Sequence, residues 1–589
     1  MRRATTNEGL SDVVHRNRHE RQILQLDEYE EDDREHQRKL KELDGSREAD
    51  NTNTDDGGNE ENSSHLKEDA DLNEVKKLTK TKPDSQILRR LESLQKRRMQ
   101  KKQRQRYWND QKKYASRFDD ISFSTSPTFF EKPEFKDSSF FGIYVLFWLG
   151  TAFLMTNYVV HHYFENKRPL WDSVVFQLLR RDLVKIGITD LAMYLASYFA
   201  YLVQYCCLKK WISWNRSGWF ILSGYIGVYF AFWLCFLSEY VMDYPWIGKV
   251  FLLLHTFVFM MKMHSYSYYN GYLWKILEER NFSEAYLKRL EGDSAQIPQG
   301  YTVKSIRKVL LSSVEFCNFE LEFQKNPMIF AKDDPDDIME SPLKTQVNEF
   351  PKNINLRNYF EFTMFPALVY TLNFPRTKKI RWWYVFEKLC AIFGIIFLMS
   401  LLADGSMDPI VRKAISCRDL PLPEKSKQYG LLFLDMIPPF LMEYLLTFFL
   451  IWDSILNAIA ELSKFADRDF YGPWWSCSEW SEFAKLWNRP VHKFLLRHVY
   501  HSSISALQLS KSAAVFFTFM LSSVVHELLM LIIFGRLRGY LLLFQMSQIP
   551  MIFLSQSKFM KNRKVLGNII CWTGFLSGPS MITILYLMY

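Results

Sequence analysis

From Ser138 onward, apolar runs about as long as a bilayer is thick alternate with polar connections. The first, SSFFGIYVLFWLGTAFLMTNYVV, begins at Ser138. Others lie near residues 184–207, 217–238 and 246–269. A long polar loop follows, and then runs near 382–403, 430–452, 512–534, 539–555 and 567–588. Roughly twenty apolar residues cross the hydrocarbon core as a helix, and a helix satisfies its own backbone in lipid. The pattern predicts an all-α polytopic membrane protein, a bundle of about nine transmembrane helices, over residues 116–589.

Before that point the pattern is absent. Residues 1–115 lack the apolar side chains that offset chain ordering, which predicts a disordered, charged, cytosolic tail. Acidic stretches such as EYEEDDREH alternate there with polar tracts. RRLESLQKRRMQKKQRQR, from Arg89, is strongly basic. It reads either as a helix on an anionic leaflet or as a solvated linker. The mean hydropathy of −0.16 therefore averages two unlike segments. The N-terminus has no apolar signal-peptide core, so the first span is expected to act as the targeting signal.

The net charge of +9 changes the picture only through its placement. The basic residues flank apolar runs, which indicates membrane topology rather than nucleic acid. Lys209, Lys210, Arg216, Lys304, Arg307, Lys308, Lys558, Lys561, Arg563 and Lys564 all fall on the cytosolic side if the N-terminus is cytosolic. Arg536 and Arg538 in GRLRG fit less well, which suggests a broken or buried span there. The eight cysteines have no metal-type spacing, and most read as small reduced hydrophobes.

Ionisable residues inside apolar helices are costly and point to function. His255, Asp435 and Glu443, each taken alone, read more readily as helix-to-helix hydrogen bonds. HELLM at 526–530 has Met530 where a zincin needs its second His, so that metal chemistry fails. His526 stands apart. Lys511, Val515, Thr518, Ser522 and His526 share one helix face, and about 22 Å separates its ends. A cation at the mouth and a base at mid-membrane suit a ligand with an anionic head and a long arm. The same stripe also reads as a polar helix–helix seam. In the preceding loop, Pro490 suits the first turn of a helix. Asn488 is then either an N-cap or a ligand contact, one turn from His492.

Several motifs together resemble a known family. FYGPWW at 470–475, WNRPVH at 487–492 and SSVVHE at 522–527 are similar to motifs of the sterol O-acyltransferases, a branch of the membrane-bound O-acyltransferases. The similarity is greatest to the fungal enzymes. It continues through NRPVHKFLLRHVYHSS, GRLRGYLLLFQMSQ, MKMHSYSYYN and FPALVYTLNFPRTKKIRWWYVFEK, and spans about residues 130–589.

The resemblance implies a reaction chamber within the bundle. In it a long-chain acyl group passes from acyl-CoA to a sterol 3β-hydroxyl, ergosterol-type in a fungal enzyme. It implies His526 as catalytic base, with Asn488 and Trp487 beside it. His492, Tyr500, Lys511 and Ser522 fall where relatives contact acyl-CoA, and Trp474 and Trp475 pack around its entrance. No metal or cofactor is implied, since acyl-CoA is a substrate. The expected setting is the endoplasmic reticulum membrane, as a homodimer or homotetramer.

The usual loop reads Phe-Tyr-x-Asp-Trp-Trp-Asn; here Pro473 replaces Asp and Ser476 replaces the last Asn. The two Trp are then expected to do most of the loop's packing. Diacylglycerol acylation is the nearest rival reading. A sterol or lipid transporter, with His526 lining a conduit, is a rival from another class. A membrane-anchored scaffold using its charged tail is a third.

Overall fold

The computed structural model describes residues 118, 121, 123–138, 141–166, 172–238, 241–291, 302–325, 348–557, 559–560 and 563–589. The predicted tail of residues 1–115, with its basic stretch from Arg89, lies outside the described residues, as do Lys558 and Lys561. Among the described residues, eight helices are long and apolar enough to cross a membrane. They are α1 (Phe141–Asn166), α2 (Leu183–Leu208), α3 (Trp214–Phe236), α4 (Trp246–Glu291), α7 (Trp382–Ser416), α8 (Leu422–Leu462), α12 (Lys511–Phe534) and α15 (Lys564–Met588). Between them come α5 (Val303–Lys325), α6 (Leu356–Met364), α9 (Trp480–Leu486), α10 (Arg489–Phe494) and α11 (His501–Leu507). The ninth apolar run is two short helices, α13 (Tyr540–Met546) and α14 (Gln548–Ser555), with a break at Ser547.

The chain divides into two compact units. The smaller contains the end of α4 and all of α5. The sequence pattern assigned α5 to a polar loop, and the structure corrects this. Its buried positions include Ile306, Leu310, Ser313, Cys317, Glu320 and Gln324, spaced four, three, four, three and four apart as one helix face requires, with Phe316 and Phe323 beside them. Ser313, Glu320 and Gln324 make three of the eight buried positions polar, so hydropathy alone does not mark the face. Ser313 donates to Glu279 at 2.7 Å and accepts from Ser283 at 3.2 Å.

The larger unit, residues 120–275 and 335–589, holds the motifs. Its connections are fixed by polar groups at their hydrogen-bond limit. Lys262 is 4% exposed and donates to the carbonyls of Phe362, Thr363 and Phe365 at 3.0, 2.9 and 2.6 Å. These include the last carbonyls of α6, where a helix runs out of its own amide donors, so the ammonium both caps α6 and answers its dipole. Three residues on, Ser265 accepts from the Tyr370 amide at 2.8 Å and binds His498 Nε2 at 2.8 Å. Arg497, 3% exposed, reaches the carbonyls of Tyr370 and Ile121. MKMHSYSYYN, FPALVY and FLLRH thus meet through main-chain and side-chain hydrogen bonds.

Ion pairs complete the frame. Glu461 is fully buried and binds Arg381 and Arg468. Lys388 pairs with Asp453 at 2.8 Å. His255 pairs with Asp190 at 2.7 Å, the helix-to-helix role read from the sequence.

Removing one member of such a set leaves its partners desolvated and unpaired, at a cost of about 3–5 kcal/mol. Lys262→Met should therefore lower the melting temperature of the detergent-solubilised protein by several degrees. An unchanged melt would mean that water takes over the three carbonyls.

Candidate active site

Helix α12 starts cleanly. Ser510 caps it by accepting from the Ala513 amide at 3.3 Å, and Lys511 is its first, exposed residue. It ends at Gly535, whose φ of 66° few other residues tolerate. Phe516, Phe517, Met520, Leu521 and Val524 are exposed on one side of the helix. This is a lipid-compatible face. Ala514 and Ser523 are buried at its flanks, and Glu527, toward the helix end, is buried where residues 538–542 cover it. The predicted stripe of Lys511, Val515, Thr518, Ser522 and His526 lies roughly opposite the lipid face. Lys511, Val515 and His526 are exposed there, and Thr518 and Ser522 half-exposed. His526 is thus presented on the polar face of α12 rather than packed into the helix bundle.

His526 Nδ1 lies 2.8 Å from the Ser522 carbonyl. A carbonyl oxygen only accepts, so Nδ1 carries the proton in this bond and Nε2 presents its lone pair. The local helix geometry thus selects the tautomer a base needs, and Ser522 contributes its main chain.

The next residue points elsewhere. Glu527 is 3% exposed. It accepts from the amides of Arg538, Gly539 and Leu542 at 3.3, 2.6 and 3.1 Å, and from the Tyr586 hydroxyl. This explains the ill-fitting GRLRG. The span is broken there between Gly535 and Gly539, at φ 66° and 77°, and the carboxylate holds the first amides of α13. Sequence reasoning missed this role; the signal was a Glu beside the His, followed by a Gly-bracketed break.

The motif loop forms a second constellation. Trp474 is 1% exposed and packs edge-on against Trp487 at 4.7 Å. Trp487 stacks on Tyr444 at 4.7 Å and 12° and tilts against Trp452 at 5.0 Å. Trp475 is half-buried. Its carbonyl accepts from Trp572 Nε1 at 3.0 Å and Asn568 at 3.1 Å. The structure thus brings Trp474, Trp475 and Trp487 into one aromatic cluster, with Trp474 at its centre. Pro473 fits because its φ of −73° is that of proline. The neighbouring Gly472 and Trp474 amides make the loop's bonds, to Leu486 and Gly472 carbonyls at 2.9 and 2.8 Å. Ser476 is exposed.

Asn488 caps α10: its Oδ1 accepts from the Val491 amide at 3.2 Å. Capping fixes the amide orientation and leaves Nδ2 as the outward donor. His492 is half-buried on α10. Burial, and after it the cations Lys485, Arg489 and Lys493, hold its imidazole below the ordinary value. Tyr500 closes the π-helical turn Leu495–Tyr500, which packs against α12. Among the described residues no hydrogen bond joins Asn488 to His526, and no group of three His, Cys, Asp or Glu is placed to hold a metal.

Glu527→Ala should cost about 3 kcal/mol of stability, the scale of charge-assisted bonds to main-chain donors. Glu527→Gln keeps one accepting oxygen and should recover about half of it. Equal melting temperatures for all three proteins would refute the bracing role.

Compared with known proteins, residues 140–588 match the family model of MBOAT, the membrane-bound O-acyltransferase family. Sterol O-acyltransferase 2 of Candida albicans is 57% identical over 82% of this chain and 81% of its own length. Sterol O-acyltransferase 2 of Saccharomyces cerevisiae is 43% identical over 77% of this chain and 67% of its own. Diacylglycerol O-acyltransferase 1 of Dictyostelium discoideum is 30% identical over 41% of this chain. The site geometry and these similarities agree: the chain belongs to the membrane-bound O-acyltransferase family, alongside the fungal sterol O-acyltransferases.

Proposed function

We propose that this protein is an acyl-CoA:sterol O-acyltransferase, which esterifies a sterol 3β-hydroxyl with a long-chain acyl group. The observation that carries the reading is the placement of His526, with Nδ1 bonded to Ser522 and Nε2 open on the polar face of α12. Its neighbours in sequence supply the rest of the argument: relatives named sterol O-acyltransferase match over most of their length, whereas the diacylglycerol enzyme matches less than half of this chain.

His526 Nε2 accepts the proton of the sterol hydroxyl as the oxygen attacks the thioester carbonyl carbon. The developing oxyanion takes a hydrogen bond from Asn488 Nδ2. When the intermediate collapses, the carbon–sulfur bond breaks and the thiolate takes the proton back from His526. The products are the sterol ester and free coenzyme A. Lys511 faces the anionic head of acyl-CoA, with His492, Tyr500 and Ser522 along its arm. Trp474 and Trp475 act by packing, and Trp487 holds Asn488 against the aromatic cluster. The protein works in the endoplasmic reticulum membrane with a cytosolic N-terminus, as a dimer or tetramer.

His526→Ala should lower kcat about 10²- to 10⁴-fold while acyl-CoA binding persists; full retained activity would sink the assignment. Asn488 offers a sharper test. Asn488→Asp keeps the capping oxygen and loses the donor, whereas Asn488→Ala loses both. Both should slow esterification by about 10²-fold or more, and only the Ala variant should lose about 1 kcal/mol of stability. Labelled oleoyl-CoA offered to the purified enzyme with either ergosterol or diacylglycerol decides the acceptor. Release of coenzyme A in step with ester separates an enzyme from a lipid transporter.

A further inference from the structure

The segment between the charged tail and the first span is laid across the motif loop. Ser126 forms a two-way main-chain bridge: its amide donates to Ala466 at 3.1 Å, and its carbonyl accepts from Arg468 at 2.9 Å. Thr128 is fully buried, a rare place for a residue just outside a polar tail. Its hydroxyl donates to Tyr471 at 3.1 Å. Tyr471 in turn donates to Asp453 at 3.0 Å, and Asp453 pairs with Lys388 at 2.8 Å. A phenol has one proton to give. With Thr128 filling its acceptor side, that proton is committed to Asp453. An unbroken polar chain therefore runs from the segment into the bundle.

Beside it, Phe130 lies parallel to the Trp475 ring at 5.7 Å and 11°, and stacks on Tyr144 of α1 at 5.2 Å and 26°. Phe129 meets Trp475 edge-on at 5.1 Å. From the other side, Trp572 and Asn568 of α15 hold the Trp475 carbonyl. The ring of Trp475 is thus seated by the segment, and its main chain by the last helix. Tyr471 and Trp475 both belong to the FYGPWW motif.

We propose that residues 126–130 are a positioning strap for acyl transfer. Thr128 and Phe130 touch no reacting atom; they set Tyr471 and Trp475, and through them the part of the loop that faces acyl-CoA. The inference rests on the reading of this loop as the acyl-CoA entrance. It assigns the strap to the catalytic unit rather than to the tail.

The test uses full-length purified protein. Thr128→Val keeps shape and loses the donor, and should raise KM for oleoyl-CoA about tenfold, the worth of one buried hydrogen bond. KM for sterol and kcat should stay within about twofold of wild type. Thr128→Ser should restore the wild-type value. Phe130→Ala should act in the same direction. Deleting residues 1–115 should leave all constants unchanged, whereas deletion through Phe130 should reproduce the acyl-CoA defect. KM for oleoyl-CoA within twofold of wild type in both point variants would overturn the proposal. So would parallel losses in both substrates' constants that track the folded fraction by size-exclusion chromatography. Wild-type protein that esterifies diacylglycerol and not sterol would overturn the acceptor assignment alone, since the acyl-CoA constants remain measurable with that acceptor.

Discussion

A carboxylate at membrane depth is stable only where donors surround it, and Glu527 shows what that requirement builds. Its acceptors take three main-chain amides and a tyrosine hydroxyl. Those amides belong to a broken span, where two glycines at positive φ leave backbone groups without helix partners. The break and the carboxylate satisfy each other. Together they tie α12 to α13 and, through Tyr586, to α15. His526 sits one residue away, about 100° around the helix, so the bonds that brace Glu527 also fix the direction in which His526 is presented. The orientation of His526 follows from satisfying a buried charge.

The same principle recurs at each junction near the site. Lys262 answers the end of α6, Arg497 and Ser265 answer the chain around Tyr370, and Asp453 receives both Lys388 and Tyr471. In lipid, where apolar surface gives helices little reason to associate, packing and hydrogen bonds carry association. The aromatic cluster around Trp474 supplies the packing, with offset and edge-on rings that are favourable beyond their buried area. The motif loop is thereby rigid enough for Asn488 to cap a helix with one end of its amide and present a donor with the other.

Much of this was legible in the chain. Apolar run lengths gave eight of the long helices, because the bilayer imposes one length on every span. The 3.6 period put Lys511, Ser522 and His526 on one face, and Pro490 marked the helix that Asn488 caps. Helix α5 was not legible, since its buried face carries Ser313, whose partners Glu279 and Ser283 lie on α4, and Glu320 and Gln324, which bond each other. Nor was the strap, since SFSTSPTFF has no period and its buried Thr128 depends wholly on Tyr471.

By itself, then, the sequence determined the membrane class, the spans, the polar stripe and the chemistry its residues can perform, because these depend on local composition and helical spacing. Only the tertiary structure decided that Glu527 braces α12 against α13 and α15, that Trp474 is core, and that residues 126–130 pack on the FYGPWW loop. Each of these is set by a partner distant in the chain, and no local pattern encodes where such a partner will be.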